Sequence, residues 1–363
     1  MLADAFEGRF GHPPLATVRA PGRVNLIGEH TDYSLLPVLP LAIDRALLVA
    51  VGPGLNRAES LRHPGDRWHD YLSAVRAVLP RGPEVDLLVG GDLPSTGGLS
   101  SSSALTVGLI AAFDEAWDLG LGKSEIVDLA VASERRMGLE GGAMDQTVIV
   151  AAEAGHALRI DFDPPSHRNV PVPPDVAIVA AYSGTTAAKG GPARALYNEK
   201  AALCREAAFR LGRLMGVDVG KPPTLSRVAR LPGVVEGLAQ LPGEVREAAT
   251  HVLSEAGRVD EAERALREGR LGVLGELLDA SHASLQRFGA STPALDVLVA
   301  GMRSAGAYGA RLTGAGFGGF AVAVCGPQEV DAVVATALQA TGGPAFRVQA
   351  AAGLSVWRGQ AAG

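Results

Sequence analysis

Hydrophobic positions follow two different periods along the chain, and together they predict a mixed α and β protein. Residues 85–89 alternate between apolar and polar side chains, as a half-buried strand does, and residues 104–117 form the apolar stripe of a helix. Similar patterns predict further strands over residues 16–19, 40–52, 176–182 and 321–325. They predict further helices over residues 68–79, 124–137, 197–212, 245–268, 271–287 and 296–304.

A proline-rich zone is the best candidate for a domain boundary. Residues 163–165 read Asp-Pro-Pro and residues 170–174 read Val-Pro-Val-Pro-Pro, and such clusters interrupt regular structure. The chain has 363 residues, of which 47% are hydrophobic, so it can form two domains with a core each. We therefore predict an N-terminal domain over residues 1–165 and a C-terminal domain over residues 166–363.

Composition excludes several classes of protein. The net charge of −6 argues against a nucleic-acid partner, and no apolar run reaches the roughly 18–20 residues that cross a membrane. Asp4, Glu7 and Arg9 make the N-terminus unlike a secretory signal. Cys204 and Cys325 are too few for a disulfide scaffold or a thiolate metal site. We expect a cytoplasmic protein with small-molecule partners, either a monomer or a weak homo-oligomer.

The first candidate site is a glycine–serine turn between a predicted strand and a predicted helix. Residues 97–105 read Gly-Gly-Leu-Ser-Ser-Ser-Ser-Ala-Leu. The glycines allow a tight turn, and the start of a helix offers unpaired N–H groups and a positive dipole end to phosphate. The alternative is a helix cap, for which one serine would suffice. We interpret the turn as a phosphate site formed by Gly97, Gly98, Leu99, Ser100, Ser101, Ser102 and Ser103.

The second candidate site is a polar segment near the N-terminus. Residues 20–33 place Arg23, Asn25, Glu29, His30, Asp32 and Tyr33 among Pro21, Gly22 and Gly28. Acids, a base and an imidazole together can bind a polyol, since hydroxyl groups need both donors and acceptors. The alternative is a polar turn with internal salt bridges.

Two further glycine-rich stretches lead to different interpretations. Residues 138–146 form a turn that ends in Met-Asp-Gln, and Asp145 there can be a buried general base or a helix cap. Gly314, Gly316 and Gly319 fit the spacing G-x-G-x-x-G. Because these glycines precede a predicted strand instead of following one, we exclude a dinucleotide site.

Three of these stretches together resemble one enzyme family. The chain has no P-loop and no protein-kinase motif set. Residues 22–33, GRVNLIGEHTDY, resemble the galactokinase signature, residues 98–105 resemble the phosphate-binding motif of the GHMP kinase superfamily, and residues 309–319 resemble its third motif. The resemblance implies an α+β, two-domain GHMP kinase fold, with an N-terminal ribosomal-protein-S5-like α/β domain and a C-terminal ferredoxin-like domain. It implies ATP-dependent phosphorylation of the anomeric hydroxyl of galactose.

The resemblance also implies roles for particular residues. It implies that ATP lies with its phosphates against the serine turn and that Mg²⁺ is bound by Ser102 and Glu134. It implies that Asp145 faces the anomeric hydroxyl, as a base or as a positioning group. It implies that Arg23 keeps Asp145 ionised and stabilises charge on the transferring phosphoryl group. It places Glu29, His30, Asp32 and Tyr197 at the sugar. Trp68 and Tyr71 match an aromatic segment near adenine, although aromatic residues at helical spacing usually pack in a core.

The sequence departs from the family around the sugar more than around the phosphates. Residues 34–37 are bulkier than the usual turn, residues 134–145 are about one residue short, and the loop at 183–197 is long. Galactose is therefore the first expectation. The alternatives are N-acetylgalactosamine, a uronic acid or arabinose as the substrate, or a non-catalytic regulator that binds galactose and ATP.

Overall fold

The computed structural model describes residues 2–61, 67–95, 97–185 and 192–359. The described strands are β1 Ala16–Ile27, β2 Leu39–Pro53, β3 Ala58–Ser60, β4 Val85–Gly91, β5 His156–Phe162, β6 Pro165–Pro171, β7 Ala177–Tyr182, β8 Gly309–Thr313, β9 Phe320–Cys325, β10 Ala345–Val348 and β11 Ser355–Arg358. The described helices are α1 Leu2–Phe10, α2 Arg67–Arg76, α3 Ser101–Trp117, α4 Lys123–Arg136, α5 Met144–Ala151, α6 Pro192–Met215, α7 Val234–Ala239, α8 Gly243–Arg267, α9 Leu271–Phe288, α10 Pro293–Ser304 and α11 Val330–Thr341.

A five-stranded sheet forms the N-terminal part of the fold. Its strand order is β11-β1-β2-β4-β3, antiparallel except where β3 pairs with β4. The strand predicted at residues 85–89 is buried on both faces, not half-buried. Leu87 packs in the main core and Leu88 packs against Phe6 of α1. The sequence analysis did not predict α1, so one covered face of this strand was missed.

Strand β1 extends eight residues beyond the predicted strand, through most of the polar segment. Its register against β2 shifts between Pro21 and Arg23, so the strand bends at Gly22. A Cβ atom on Gly22 would lie 2.9 Å from the carbonyl oxygen of Leu99, so the close approach of the serine turn requires glycine. Arg23 and Asn25 are buried in this strand. The side chain of Arg23 lies against Asp145 and Gly98, and the backbone of Asn25 bonds Thr313 of the C-terminal half.

A four-stranded antiparallel sheet forms the C-terminal part, in the order β10-β7-β9-β8. One face, with Ile178 and Val322, joins the core of the first sheet. The other face, with Val179 and Ala323, packs in a second core with α6, α8, α9, α10 and α11. Because both faces of β7 and β9 are covered, successive residues of these strands are apolar instead of alternating with polar ones.

The proline-rich zone contains a strand, and the C-terminal end of the chain returns to the first sheet. β5 and β6 form an antiparallel hairpin across residues 156–171. β11 pairs with β1, and the amide of Gly359 donates to the carbonyl of Leu15. The division of the chain at residue 165 stays a prediction. Among the described residues, no helix combines the length and the apolar character that crossing a membrane requires.

Candidate active site

A cleft between the two halves of the molecule gathers most of the predicted site residues. It encloses about 920 Å³, including space open to solvent. Its walls include the predicted residues Arg23, Glu29, His30, Asp32, Gly97, Gly98, Glu134, Asp145 and Tyr197. The third motif contributes Gly314, Ala315, Gly316 and Gly318. The polar segment, the serine turn and the third motif therefore meet at one place.

Arg23 and Asp145 form a buried ion pair in this cleft. The Arg23 Nε atom lies 2.7 Å from Asp145 Oδ1, and Arg23 Nη1 donates to the carbonyl oxygen of Gly98 at 2.6 Å. Burial acts to lower the pKa of Arg23, but the negative charges of Asp145 and Glu29 outweigh it and raise that pKa. The guanidinium thus connects the acid to the backbone of the serine turn.

Two serine hydroxyl groups of the turn, those of Ser100 and Ser103, contact Asp145. Ser100 precedes α3 in a left-handed conformation (φ 59°) and makes no side-chain capping bond to the helix. Its hydroxyl donates to Asp145 Oδ2, and Ser103 Oγ lies 3.4 Å from the same oxygen. The capping interpretation of this serine is therefore wrong.

The third motif supports the serine turn through glycine contacts. Gly98 has a φ of +118°, and a Cβ atom there would lie 2.9 Å from the amide nitrogen of Phe320. A Cβ atom on Gly319 would lie 2.6 Å from the carbonyl oxygen of Gly97. Because only glycine fits at both positions, the turn and the third motif pack backbone against backbone. The third motif thus has a structural function that its spacing alone did not indicate.

Glu134 and Ser102 supply oxygen atoms near the turn. Glu134 is in the last turn of α4 and lines the cleft, as do Gly97 and Gly98 of the turn. Ser102 is in the first turn of α3, 9% exposed. Hydroxyl and carboxylate oxygens are ligands that Mg²⁺ accepts, so the donor set fits this ion. Within the described ranges, no group of three or more His, Cys, Asp and Glu side chains could hold a metal by itself.

Asp32 is a second buried acid in the cleft. Burial, together with the charge of Asp145, raises the pKa of Asp32 to about 7. Its Oδ1 atom accepts from the amide of Tyr33 at 2.9 Å. A Cβ atom on Gly142 would lie 2.5 Å from Asp32 Oδ2, so the glycine-rich loop closes directly on this carboxyl group.

His30 lies between aromatic rings and uses both of its ring nitrogens within the protein. Burial lowers the pKa of His30 to about 3, so the ring is neutral. Nε2 lies 3.1 Å from the carbonyl oxygen of Ala315 and donates to it, and Nδ1 accepts from the Tyr33 hydroxyl at 3.0 Å. Tyr197 of α6 packs 5.4 Å from the His30 ring, between centroids. His30 thus joins the polar segment to the C-terminal half.

Glu29 is bound by a residue that the sequence analysis did not select. Arg311 of β8, which is completely buried, pairs with Glu29 Oε2 at 2.5 Å. The amide of Gly314 donates to Glu29 Oε1 at 3.1 Å. Burial raises the pKa of Glu29, and the charges of Arg311 and Arg23 oppose that rise. Each oxygen of Glu29 therefore accepts a bond from the protein before any ligand is added.

Helix α8 binds the backbone of the same segment. Glu255 Oε1 accepts from the amides of Gly28 and Glu29 at 3.0 and 3.2 Å. Burial alone would raise the pKa of Glu255, but the charges of Arg311 and Arg258 lower it to about 2. His251 Nε2 lies 3.1 Å from the carbonyl oxygen of Glu29. The sequence analysis gave neither residue a role.

Helix α6 holds the glycine-rich loop between Glu134 and Asp145. Arg194 Nη1 donates to the carbonyl oxygen of Met137 at 2.8 Å, and Asn198 Nδ2 donates to that of Gly138 at 3.2 Å. Arg205 pairs with Glu140 at 2.8 Å. The C-terminal half therefore fixes the loop that separates the two acids.

Three predicted features lie away from the cleft or beyond the described residues. Trp68 is 6% exposed and packs in the main core with Tyr71 beside it, and neither lines the cleft. Of the bulky residues 34–37, Leu36 packs in the second core, and none lines the cleft. Residues 186–191 of the long loop lie outside the described residues, and residues 192–197 belong to α6. The aromatic contact with adenine stays a prediction.

Comparisons with known proteins agree with these motifs. Residues 4–53 match the family model of the galactokinase galactose-binding signature, residues 70–153 that of the GHMP kinase N-terminal domain, and residues 262–343 that of the GHMP kinase C-terminal domain. A galactokinase from Chloroflexus aurantiacus is 37% identical over 358 residues, covering 92% of this chain and 90% of that protein. A galactokinase from Thermococcus kodakarensis is 34% identical, covering 85% of this chain and 88% of that protein.

Solved structures show the same fold. Lactococcus lactis galactokinase, in a complex with galactose, superposes with a TM-score of 0.84 at 27% identity, covering 98% of both chains. Mevalonate kinase from L. major superposes with a TM-score of 0.63 at 20% identity, covering 92% of this chain and 96% of that one, and so shares the fold. The predicted GHMP kinase fold is confirmed. The chain belongs to the galactokinase family of ATP-dependent sugar kinases.

Proposed function

We propose that the protein transfers the γ-phosphoryl group of ATP to the anomeric hydroxyl of galactose, producing galactose 1-phosphate and ADP. The observation that carries this proposal is the buried Arg23–Asp145 pair. It lies in a cleft with a glycine–serine turn at a helix start and with the polar segment that matches the galactose-binding signature. This location supports a role for the pair where a sugar oxygen meets a phosphate.

In the proposed reaction, the anomeric oxygen attacks the γ-phosphorus while Asp145 accepts the proton of that hydroxyl. The bond between the γ-phosphorus and the bridging oxygen breaks, and ADP leaves with the electron pair. The positive charge of Arg23 favours the ionised form of Asp145 and stabilises charge on the transferring group. If the transition state is loose, the hydroxyl proton has moved little when that state is reached. Asp145 then chiefly orients the hydroxyl and accepts the proton later.

We propose that Asp32 and Tyr197 bind sugar hydroxyls, with Glu29 and His30 on the same wall. Asp32 Oδ1 accepts from the amide of Tyr33, and Asp32 Oδ2 faces the glycine-rich loop. The protein already engages both ring nitrogens of His30 and both oxygens of Glu29. Glu29 then binds the sugar through its remaining lone pairs, whereas His30, with both ring nitrogens engaged, shapes the pocket for Asp32 and Tyr197.

We propose that Ser102 and Glu134 hold Mg²⁺ with ATP, as the oxygen donor set permits. Bound there, the ion would neutralise part of the phosphate charge. The backbone of residues 97–103 and the start of α3 would bind the phosphates through N–H groups, since the turn contains no lysine. Trp68 and Tyr71 remain candidates for the adenine side.

We also propose a cytoplasmic monomer or weak homo-oligomer, with domains at residues 1–165 and 166–363.

A panel of sugars tests the proposed function. ADP release is measured with galactose, N-acetylgalactosamine, a uronic acid and arabinose at matched concentrations. We expect galactose to give the highest kcat/KM. Activity at background with galactose but clear with another sugar would show a related sugar 1-kinase instead, and binding of galactose without turnover of any sugar would show a regulator.

A further inference from the structure

Gln146 is a buried polar residue of the cleft wall to which no role has been given. It follows Asp145 in the first turn of α5 and lines the cleft, with 2% of its surface exposed. Its Oε1 atom is fully buried and has no hydrogen-bond partner in the described part of the chain. Buried carboxamides in native proteins are almost always hydrogen-bonded, so this one calls for an explanation.

The hydroxyl groups that contact the adjacent Asp145, and the hydroxyl group of the next residue, Thr147, have other partners. Ser100 and Ser103 direct their hydroxyls to Asp145 Oδ2. Thr147 Oγ1 donates to the carbonyl oxygen of Ala143 at 2.7 Å. Exchanging the oxygen and nitrogen of the carboxamide would leave a buried N–H group in place of the buried oxygen. Either orientation therefore leaves one polar atom of the Gln146 carboxamide without a partner in the described part of the chain.

We propose that the carboxamide of Gln146 hydrogen-bonds a hydroxyl group of the sugar and contributes to the choice of substrate. This inference rests on the proposed function. Glu29, Asp32 and Asp145 on the same walls are acids, which when ionised only accept hydrogen bonds. A carboxamide both donates and accepts, and so does a hydroxyl group. A site that hydrogen-bonds a substrate hydroxyl discriminates strongly against analogues that lack it.

Gln146→Leu and Gln146→Met test this inference, with Gln286→Leu, an exposed residue of α9, as the control. We expect both variants to lower kcat/KM for galactose about tenfold, the equivalent of one hydrogen bond, with the KM for ATP unchanged. We expect their melting temperatures to equal or exceed that of the unchanged protein, because an apolar side chain replaces an unsatisfied buried amide. A purely structural role would instead lower stability in both variants, and that result would overturn the inference.

Deoxy sugars give the second readout. If Gln146 binds a sugar hydroxyl, one member of the 2-, 3-, 4- and 6-deoxygalactose series lacks that hydroxyl. With that sugar, the variants and the unchanged protein should have the same kcat/KM. A loss that persists undiminished with all four sugars, or a change confined to the KM for ATP, would overturn the inference. The proposed function is tested separately: it fails if the unchanged protein does not phosphorylate galactose.

Discussion

Asp145 shows how much one residue depends on partners that are distant in sequence. Arg23 is 122 residues away from it, and Ser100 is 45 residues away. Sequence analysis selected all three because each lies in a short, recognisable motif. Arg311 and Glu255 were not assigned roles, since their roles arise only from packing. Arg311 is 282 residues from Glu29 and is an ordinary basic residue of a strand until the fold buries it.

Replacing Asp145 tests its role at the reacting oxygen. We expect Asp145→Asn to lower kcat by roughly 10²–10⁴-fold, because the side chain no longer accepts a proton. Nucleotide affinity should stay close to that of the unchanged protein, since the serine turn remains. Steady-state kinetics and nucleotide titration measure the two effects, with Asp331→Asn in α11 as an exposed control. Near-normal turnover would remove Asp145 from the mechanism.

Asp32 makes the stability of the ligand-free protein depend on pH. Its folded-state pKa of about 7 lies above the ordinary value of 3.8, so the folded state holds a proton that the unfolded state has released. Its contribution to the free energy of unfolding therefore falls as pH rises between about 4 and about 7, by at most about 1.4 kcal/mol per pH unit. Compared with the unchanged protein, Asp32→Asn should lose less stability, or gain more, as pH rises across this range in urea unfolding. An unchanged slope in that variant would contradict the assignment.

At the scale of elements, long periodic segments were predicted well and short ones were not. α8, α9 and α10 lie within three residues of their predicted bounds, because each has a continuous apolar face. β3 and β11 have three and four residues, so their pairing partners define them more than their own pattern does. β1 was predicted too short because its polar residues, Arg23 and Asn25, are buried against partners that are distant in sequence. The α6 contacts to the loop at 137–140 have no local signal at all.

The contact of α8 with the polar segment predicts a stability effect. Glu255→Gln keeps the shape of the side chain but removes the negative charge of the carboxylate. That carboxylate accepts hydrogen bonds from the amides of Gly28 and Glu29. We expect the free energy of unfolding to fall by about 2–3 kcal/mol, as for hydrogen bonds to a charged group, and kcat/KM for galactose to fall with it. Chemical denaturation measures the change, with Glu261→Gln, an exposed residue of the same helix, as the control. Equal stability of the two variants would show that this contact is not important.

At the scale of the whole molecule, both halves of the chain build each part of the cleft, and the C-terminal end completes the first sheet. β11 covers one edge of β1 over four paired residues. A chain ending at Leu354 loses these bonds and exposes a strand edge. We expect a loss of roughly 2–4 kcal/mol in the free energy of unfolding, at about 1 kcal/mol for each hydrogen bond. A chain ending at Gly359 is the control, and equal denaturation midpoints would contradict the prediction.

The central claim is that this cleft transfers phosphate from ATP to the anomeric oxygen of galactose. The most direct test is ³¹P nuclear magnetic resonance of the products formed from ATP, Mg²⁺ and galactose. We predict stoichiometric ADP and one new phosphate-monoester resonance whose phosphorus couples to the anomeric proton. A monoester coupled to protons at another carbon, or release of inorganic phosphate without a sugar phosphate, would contradict the account.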